Sequence, residues 1–93
     1  MAEQVIADNP ETSRYELHID GEFSGWVDYR LDGGVMAIPH VQVDPRLRGQ
    51  GISAPFLDEV LADIRRRGLK IIPTCGYARG HVADRPELHD LLA

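Results

Sequence analysis

An α/β fold of the α+β kind is predicted: a mixed sheet begun by an antiparallel meander, then a helix, a parallel strand and short C-terminal helices. Three observations carry this. Apolar and polar residues alternate from Tyr15, turn signals recur at Asp20-Gly21 and Asp32-Gly33-Gly34, and beyond Gly51 the apolar positions move to helical steps. The chain has 93 residues, enough for one domain. Its 43% hydrophobic and 27% charged residues set it apart from disordered chains, which lack apolar surface to bury.

The first dozen residues show no period and are expected to be a flexible leader, residues 1–13, joined to a single folded domain over residues 14–93. Tyr15, Leu17 and Ile19 share one face of the first strand, and Asp20-Gly21 is a two-residue hairpin turn. Phe23 to Leu31 is the second strand. Val35 to Val43 is the third, interrupted by Pro39, which cannot donate to a ladder. Asp44-Pro45 stops the sheet. Ile52, Phe56, Leu57, Val60, Leu61 and Ile64 then form one helical stripe, and Gly68 ends that helix. Pro55 lacks an N–H, so the helix must begin near Gly51 to keep it in the first turn. Leu69 to Ile72 reads as a buried strand, and Gly76 to Ala93 as two short helices broken at Arg85-Pro86.

Charge narrows the function classes. The net charge of −5 argues against sequence-independent nucleic-acid binding, which depends on cations neutralising phosphates. Residues 1–32 carry −6, residues 33–72 carry +2 and residues 73–93 carry −1, so an anion would bind the middle. No signal peptide or membrane-length apolar run is visible, and the single cysteine, Cys75, leaves no internal disulfide; a cytoplasmic protein with no membrane partner is the expectation. His18, His81 and His89 do not stand at zinc-ligand spacings with Cys75, so no metal site is expected.

Within the basic middle, Arg46-Leu47-Arg48-Gly49-Gln50-Gly51 joins a strand to a helix. Glycines let backbone N–H groups turn toward a ligand, and a helix amino terminus favours a phosphate. A phosphate cradle completed by Arg46 and Arg48 is one reading; a tight connection is the other, and the pattern alone leaves both open.

The run Val43 to Ile52 resembles motif A of the GCN5-related N-acetyltransferases, Arg/Gln-x-x-Gly-x-Gly/Ala, with Arg48 and Gly51 at its first two defined positions and Ser53 where glycine or alanine is usual. His40-Val41-Gln42-Val43, Cys75-Gly76-Tyr77 and the closing Arg85 to Leu92 are similar to a branch of very small bacterial proteins of the YjdJ type. The resemblance spans residues 14–92 and implies acetyl-CoA, or coenzyme A, as cosubstrate between the loop strand and the Leu69–Ile72 strand. It further implies cofactor contacts from Arg46, Arg48, Gly49, Gln50, Gly51, Ile52 and Ser53, and from backbone N–H groups of Val41 and Val43. The activity it implies is N-acetyl transfer to an acceptor, a protein or a small amine. The alternative is a CoA-binding sensor or interaction module without efficient transfer. Gln42 favours the second, because it replaces an acid that could have served as a base.

Three side chains are catalytic candidates. His40 ends the strand before the loop and is chemically suited to take a proton at neutral pH; a histidine bonded to backbone is the competing reading. Cys75 precedes a helix start, a setting that favours thiolate, and would carry an acyl group, line the acyl pocket or fill space. Tyr77 has the place of the tyrosine that the resemblance implies as proton donor to the leaving thiolate, against a merely packed tyrosine.

Overall fold

Three hairpins and one crossover connection place every strand beside its neighbour in sequence. In the computed structural model, which describes residues 3–47 and 49–93, the strands β1 (Gln4–Asn9), β2 (Arg14–Ile19), β3 (Glu22–Asp32), β4 (Val35–Val43) and β5 (Lys70–Pro73) form one sheet in the order 1-2-3-4-5. β1 to β4 are antiparallel, and β5 runs parallel to β4. A short 3₁₀ turn (Pro45–Leu47) leads to α1 (Ser53–Arg66); α2 (Gly76–Ala83) and a 3₁₀ segment (Pro86–Leu91) follow β5. The mixed sheet, the crossover helix and the break at Pro86 are as the residue pattern predicts.

The hairpin turns follow from backbone chemistry. Asp20 and Gly21 both have positive φ (51° and 84°), as do Gly33 and Gly34 (56° and 87°), the conformation that suits the twist of flanking strands. One expectation is corrected. The stretch read as part of a leader contains β1, paired with β2 from Gln4↔Ile19 to Asn9↔Arg14. Its period is hidden because one of its two core-side residues is polar. Ile6 packs on the core, whereas Asp8 accepts hydrogen bonds from Tyr29 Oη (2.6 Å) and Arg67 Nη1 (3.1 Å).

Both helices pack on one face of the sheet. α1 buries Phe56, Leu57, Val60, Leu61 and Ile64 against Tyr15, Leu17, Val27, Met36 and Ile38, and α2 adds Ala78 and Val82 to the same core. Burying such side chains contributes about 1.5–3 kcal/mol each, so the helical stripe is what holds the crossover to the sheet. The arginines at the end of α1 are tethers. Arg65 holds Asp90 and the Glu87 carbonyl, and Arg67 reaches Asp8 and Tyr15 Oη. The opposite face of the sheet, bearing Glu16, His18, Trp26 and His40, carries no helix among the described residues.

Candidate functional site

The site begins at a proline. The β3–β4 register slips between Asp28↔His40 and Arg30↔Ala37, so Ile38 and Pro39 together oppose Tyr29 as a bulge. A proline is tolerated there because the bulge leaves a residue unpaired. The slip also reverses the alternation of β4. Met36 and Ile38 point to the core before it, and Val43 does so after it. His40 is thereby turned to the bare face.

The same point ends the pairing with β5. The parallel register runs from Val35↔Lys70 only to Ile38↔Pro73. The amides of Thr74 (3.1 Å) and Cys75 (3.0 Å) then both donate to the Ile38 carbonyl, and the two strands part. Among the described residues none pairs with the β5-side edge of β4 from His40 to Val43. Asp44 N–H donates to Ser24 O on β3 (2.8 Å), so strand alternation directs His40 and Gln42 toward β3 and Val41 and Val43 toward the open edge. Gln42 Nε2 donates to the Val43 carbonyl at 2.8 Å. The N–H groups of Val41 and Val43 are thereby left on the open edge, where the two strands part.

The amino end of α1 follows β4 through the Pro45–Leu47 turn. Gly49 and Gly51 have φ of 82° and 69°, a conformation that residues with a Cβ rarely adopt. No side chain caps α1, and its first bonded amide is Phe56 N–H to Ile52 O (3.1 Å). The amides of Ile52, Ser53 and Ala54 are donors of a first turn with no partner among the described residues, and Pro55 has none to lose. This donor set, at the positive end of a 14-residue helix, fits a pyrophosphate. Arg48 lies outside the described residues. Arg46 is engaged elsewhere: its Nε and Nη2 bond the Asp44 carboxylate (3.1 and 2.7 Å), which holds Asp44 below the usual carboxylate range and Arg46 above its own.

Cys75 and Tyr77 stand where β5 gives way to α2. Cys75 is half-buried at the N-cap of α2, at the point where β5 leaves β4. Tyr77 lies in the first turn of α2 beside a groove of about 340 Å³ that it shares with Ala54 of α1, Gly76, Gly80, His81 and Arg85. Burial raises the Tyr77 phenol above its ordinary value, against the opposing pull of Arg85, and the Asp58 carboxylate adds to the rise. The three catalytic candidates are therefore not one cluster. Cys75 and Tyr77 belong to the helix side of the sheet, and His40 is exposed on the other.

Sequence reasoning missed two supports of this geometry. His81, buried on α2, bonds Asp58 of α1 (Nε2 to Oδ1, 2.7 Å) and fixes one wall of the groove to the other. Nothing in a lone histidine 23 residues from an aspartate signals the pair. Gly25 was also passed over; a Cβ there would stand 2.8 Å from Gln42 O and 3.3 Å from Val43 Cα, so only glycine lets β3 lie this close to the end of β4. Its place inside a strand, where glycine is otherwise unfavourable, was the available signal. His89 Nε2 contacts the Val82 carbonyl at 3.0 Å, and no group of three or more metal-ligating side chains occurs among the described residues. No described helix is long and apolar enough to cross a membrane.

Comparison with known proteins bears on the same region. A family model described as GCN5-related N-acetyl-transferase matches residues 14–91. No curated protein matches the chain in sequence. A GCN5-like protein from Staphylococcus aureus, solved in solution by NMR, superposes with a TM-score of 0.72 at 23% identity, over 96% of this chain and 87% of that one. The ribosomal-protein-S18-alanine N-acetyltransferase of Escherichia coli gives 0.65 at 14% identity, over 78% of this chain and 50% of its own. Ard1 from Thermoplasma volcanium gives 0.57 at 20% identity, over 71% and 45%. These likenesses show the fold, and the chain spans about half the length of the last two.

Proposed function

The chain belongs to the GCN5-related N-acetyltransferase family, and from that premise we propose that it binds acetyl-CoA in the β4–β5 cleft and transfers the acetyl group to an amine. The observation that carries the proposal is that the connection from β4 to α1 has a donor set at each end: the Val41 and Val43 amides on the open edge of β4, and the α1 amides without a partner among the described residues.

Acetyl-CoA supplies an activated acetyl group as a thioester, whose carbonyl carbon bonds to the acceptor nitrogen as the C–S bond breaks. The residues divide the remaining work. Gly49, Gln50 and Gly51 with the amides of Ile52, Ser53 and Ala54 hold the pyrophosphate. Arg48 adds charge to it, and Arg46 does so after exchanging Asp44 for phosphate. The amides of Val41 and Val43 hold the pantetheine arm and polarise the thioester carbonyl. His40, or water, takes the proton that the amine loses, and Tyr77 gives its proton to the departing sulfur. The raised Tyr77 phenol suits that role, because it stays protonated across the neutral range.

Native-state binding raises a melting temperature. Acetyl-CoA and free CoA are expected to raise it, and pantetheine, which lacks the pyrophosphate, to lose most of the shift. No shift at millimolar CoA overturns the proposal. Incubation with acetyl-CoA followed by thiol release and intact mass then separates transfer from binding alone. An added acetyl mass that disappears in Cys75→Ala would place the acyl group on Cys75 before the acceptor; binding without release or labelling favours a CoA-responsive module, the reading consistent with Gln42 in place of an acid.

A further inference from the structure

The bare face of the sheet carries a row of aromatic rings. His18, Phe23, Trp26 and His40 form a ribbon of rings across β2, β3 and β4, with successive centroids 5.6, 5.8 and 6.0 Å apart. Phe23 and Trp26 are stacked at 13°, and Phe23 is 44% exposed. The ribbon borders a groove of about 370 Å³ between Phe23, Trp26, Gln42 and Pro45. That groove shares Ser24 and Asp44 with a second one of about 500 Å³, which continues round the end of the sheet to Ile19 and Leu47 on the core side and where Asp20, Glu22 and Asp44 face the single cation Arg46 among the described residues. One end is aromatic and the other acidic. The aromatic end runs toward His40, two residues from Gln42 on the same face, a step of about 7 Å along a strand.

We propose that this double groove holds the acceptor, and that the acceptor is a basic peptide segment carrying lysine or arginine near its reacting amine. This rests on the acetyltransferase reading above, and it gives His40 a reason to face away from Cys75 and Tyr77. The amine arrives from the bare face, and its proton leaves on that side. Charge complementarity selects a cation, since three carboxylates outnumber one guanidinium and the first 32 residues carry −6. Shape selects a peptide. A small ligand needs a concave site that encloses most of its surface, whereas an open platform with a large aromatic anchor suits a chain laid across it.

Trp26 is the only tryptophan, so its fluorescence reports the site directly. The full chain is titrated with a free-amino hexapeptide of alternating lysine and leucine, with its glutamate–leucine counterpart, and with butylamine. A saturable change with the lysine peptide alone is expected, weakened about tenfold or more by Phe23→Ala and by Glu22→Lys. Both side chains are exposed, and the far-UV spectrum checks that each variant folds. The CoA-induced melting shift, measured on Phe23→Ala in parallel, should be unchanged. No response to the lysine peptide, or one indifferent to both substitutions, overturns the proposal, and butylamine binding as tightly as the peptide overturns the peptide class. Loss of the CoA shift in the native chain with peptide binding intact would instead overturn the acetyl-CoA reading.

Discussion

Arg46 and Asp44 show how a single ion pair changes what a residue is available to do. The guanidinium is 78% exposed, yet two of its nitrogens lie on one carboxylate two residues away. If Arg46 turns to a phosphate, it must first give up that contact, and exposed, solvent-screened pairs of this kind are weak. Asp44→Asn is therefore expected to tighten CoA binding by up to about fivefold, and Arg46→Ala to weaken it, both read by calorimetric titration. Equal affinities in Asp44→Asn and the native chain would show that Arg46 takes no part. Tyr77 allows a second test. Tyr77→Phe removes the proton while keeping the ring, so kcat is expected to fall about 10²-fold with the CoA melting shift intact; an unchanged kcat assigns the proton to solvent. Gly51, by contrast, is a poor probe of ligand approach. With φ at 69° and nothing within 4 Å of an added Cβ, Gly51→Val strains the loop before any phosphate arrives.

At the scale of elements, the cleft depends on how β3 and β4 lie against each other. Pro39 sits in the bulge that turns His40 outward, and Gly25 admits the Gln42–Val43 backbone at the other end of the same pairing. Gly25→Ala forces a methyl against backbone rather than a flexible side chain. It is expected to cost about 1–3 kcal/mol in urea unfolding and to weaken CoA binding, because the displaced segment is the one presenting Val41 and Val43. A variant that loses stability while binding CoA normally would show that the edge amides are not used. Pro39 was legible in the sequence as an interruption of a strand. Its consequence was not, because a bulge reverses the facing of every later residue and its position is set by the partner strand.

Over the whole molecule, β1 is fastened to α1 by a polar network at the rim of the core. Tyr15 Oη donates to Asp63 Oδ2 (2.6 Å) and accepts from Arg67 Nη1 (2.8 Å), while Asp8 joins Arg67 to Tyr29. The Tyr15 hydrogen bond, first, and then Arg66 hold Asp63 below the usual carboxylate range against the opposing effect of burial. Its stabilising effect is thus complete above the unfolded value near 4 and is lost as pH falls through the folded one. Tyr29 runs the other way. Burial and the Asp8 bond push its phenol up to about 12, so its contribution is present below about 10 and lost between pH 10 and 12. Urea midpoints are expected to stay level through the neutral range and to fall at both ends, with the acid limb reduced in Asp63→Asn and the alkaline limb in Tyr29→Phe. Limbs unaltered by these substitutions would place the titrating groups elsewhere.

What the sequence determined by itself was local or periodic. Alternation from Tyr15, the glycine turns, the stripe from Ile52 to Ile64 and the stop at Pro86 each depend on residues within a few positions of one another, so the meander, the crossover helix and the loop at Gly49–Gly51 could be read without coordinates. The tertiary structure decided what depends on distant partners. Asp8 makes an inward-facing residue only because Tyr29 and Arg67 meet it there, and this hid β1. His81 pairs with Asp58 across two helices, and Arg46 is held by Asp44. The parting of β4 from β5 and the turning of His40 away from Tyr77 follow from a register that three strands settle together. Side-chain period and turn chemistry are properties of a segment, whereas the side of a sheet to which a residue finally points is a property of its neighbours.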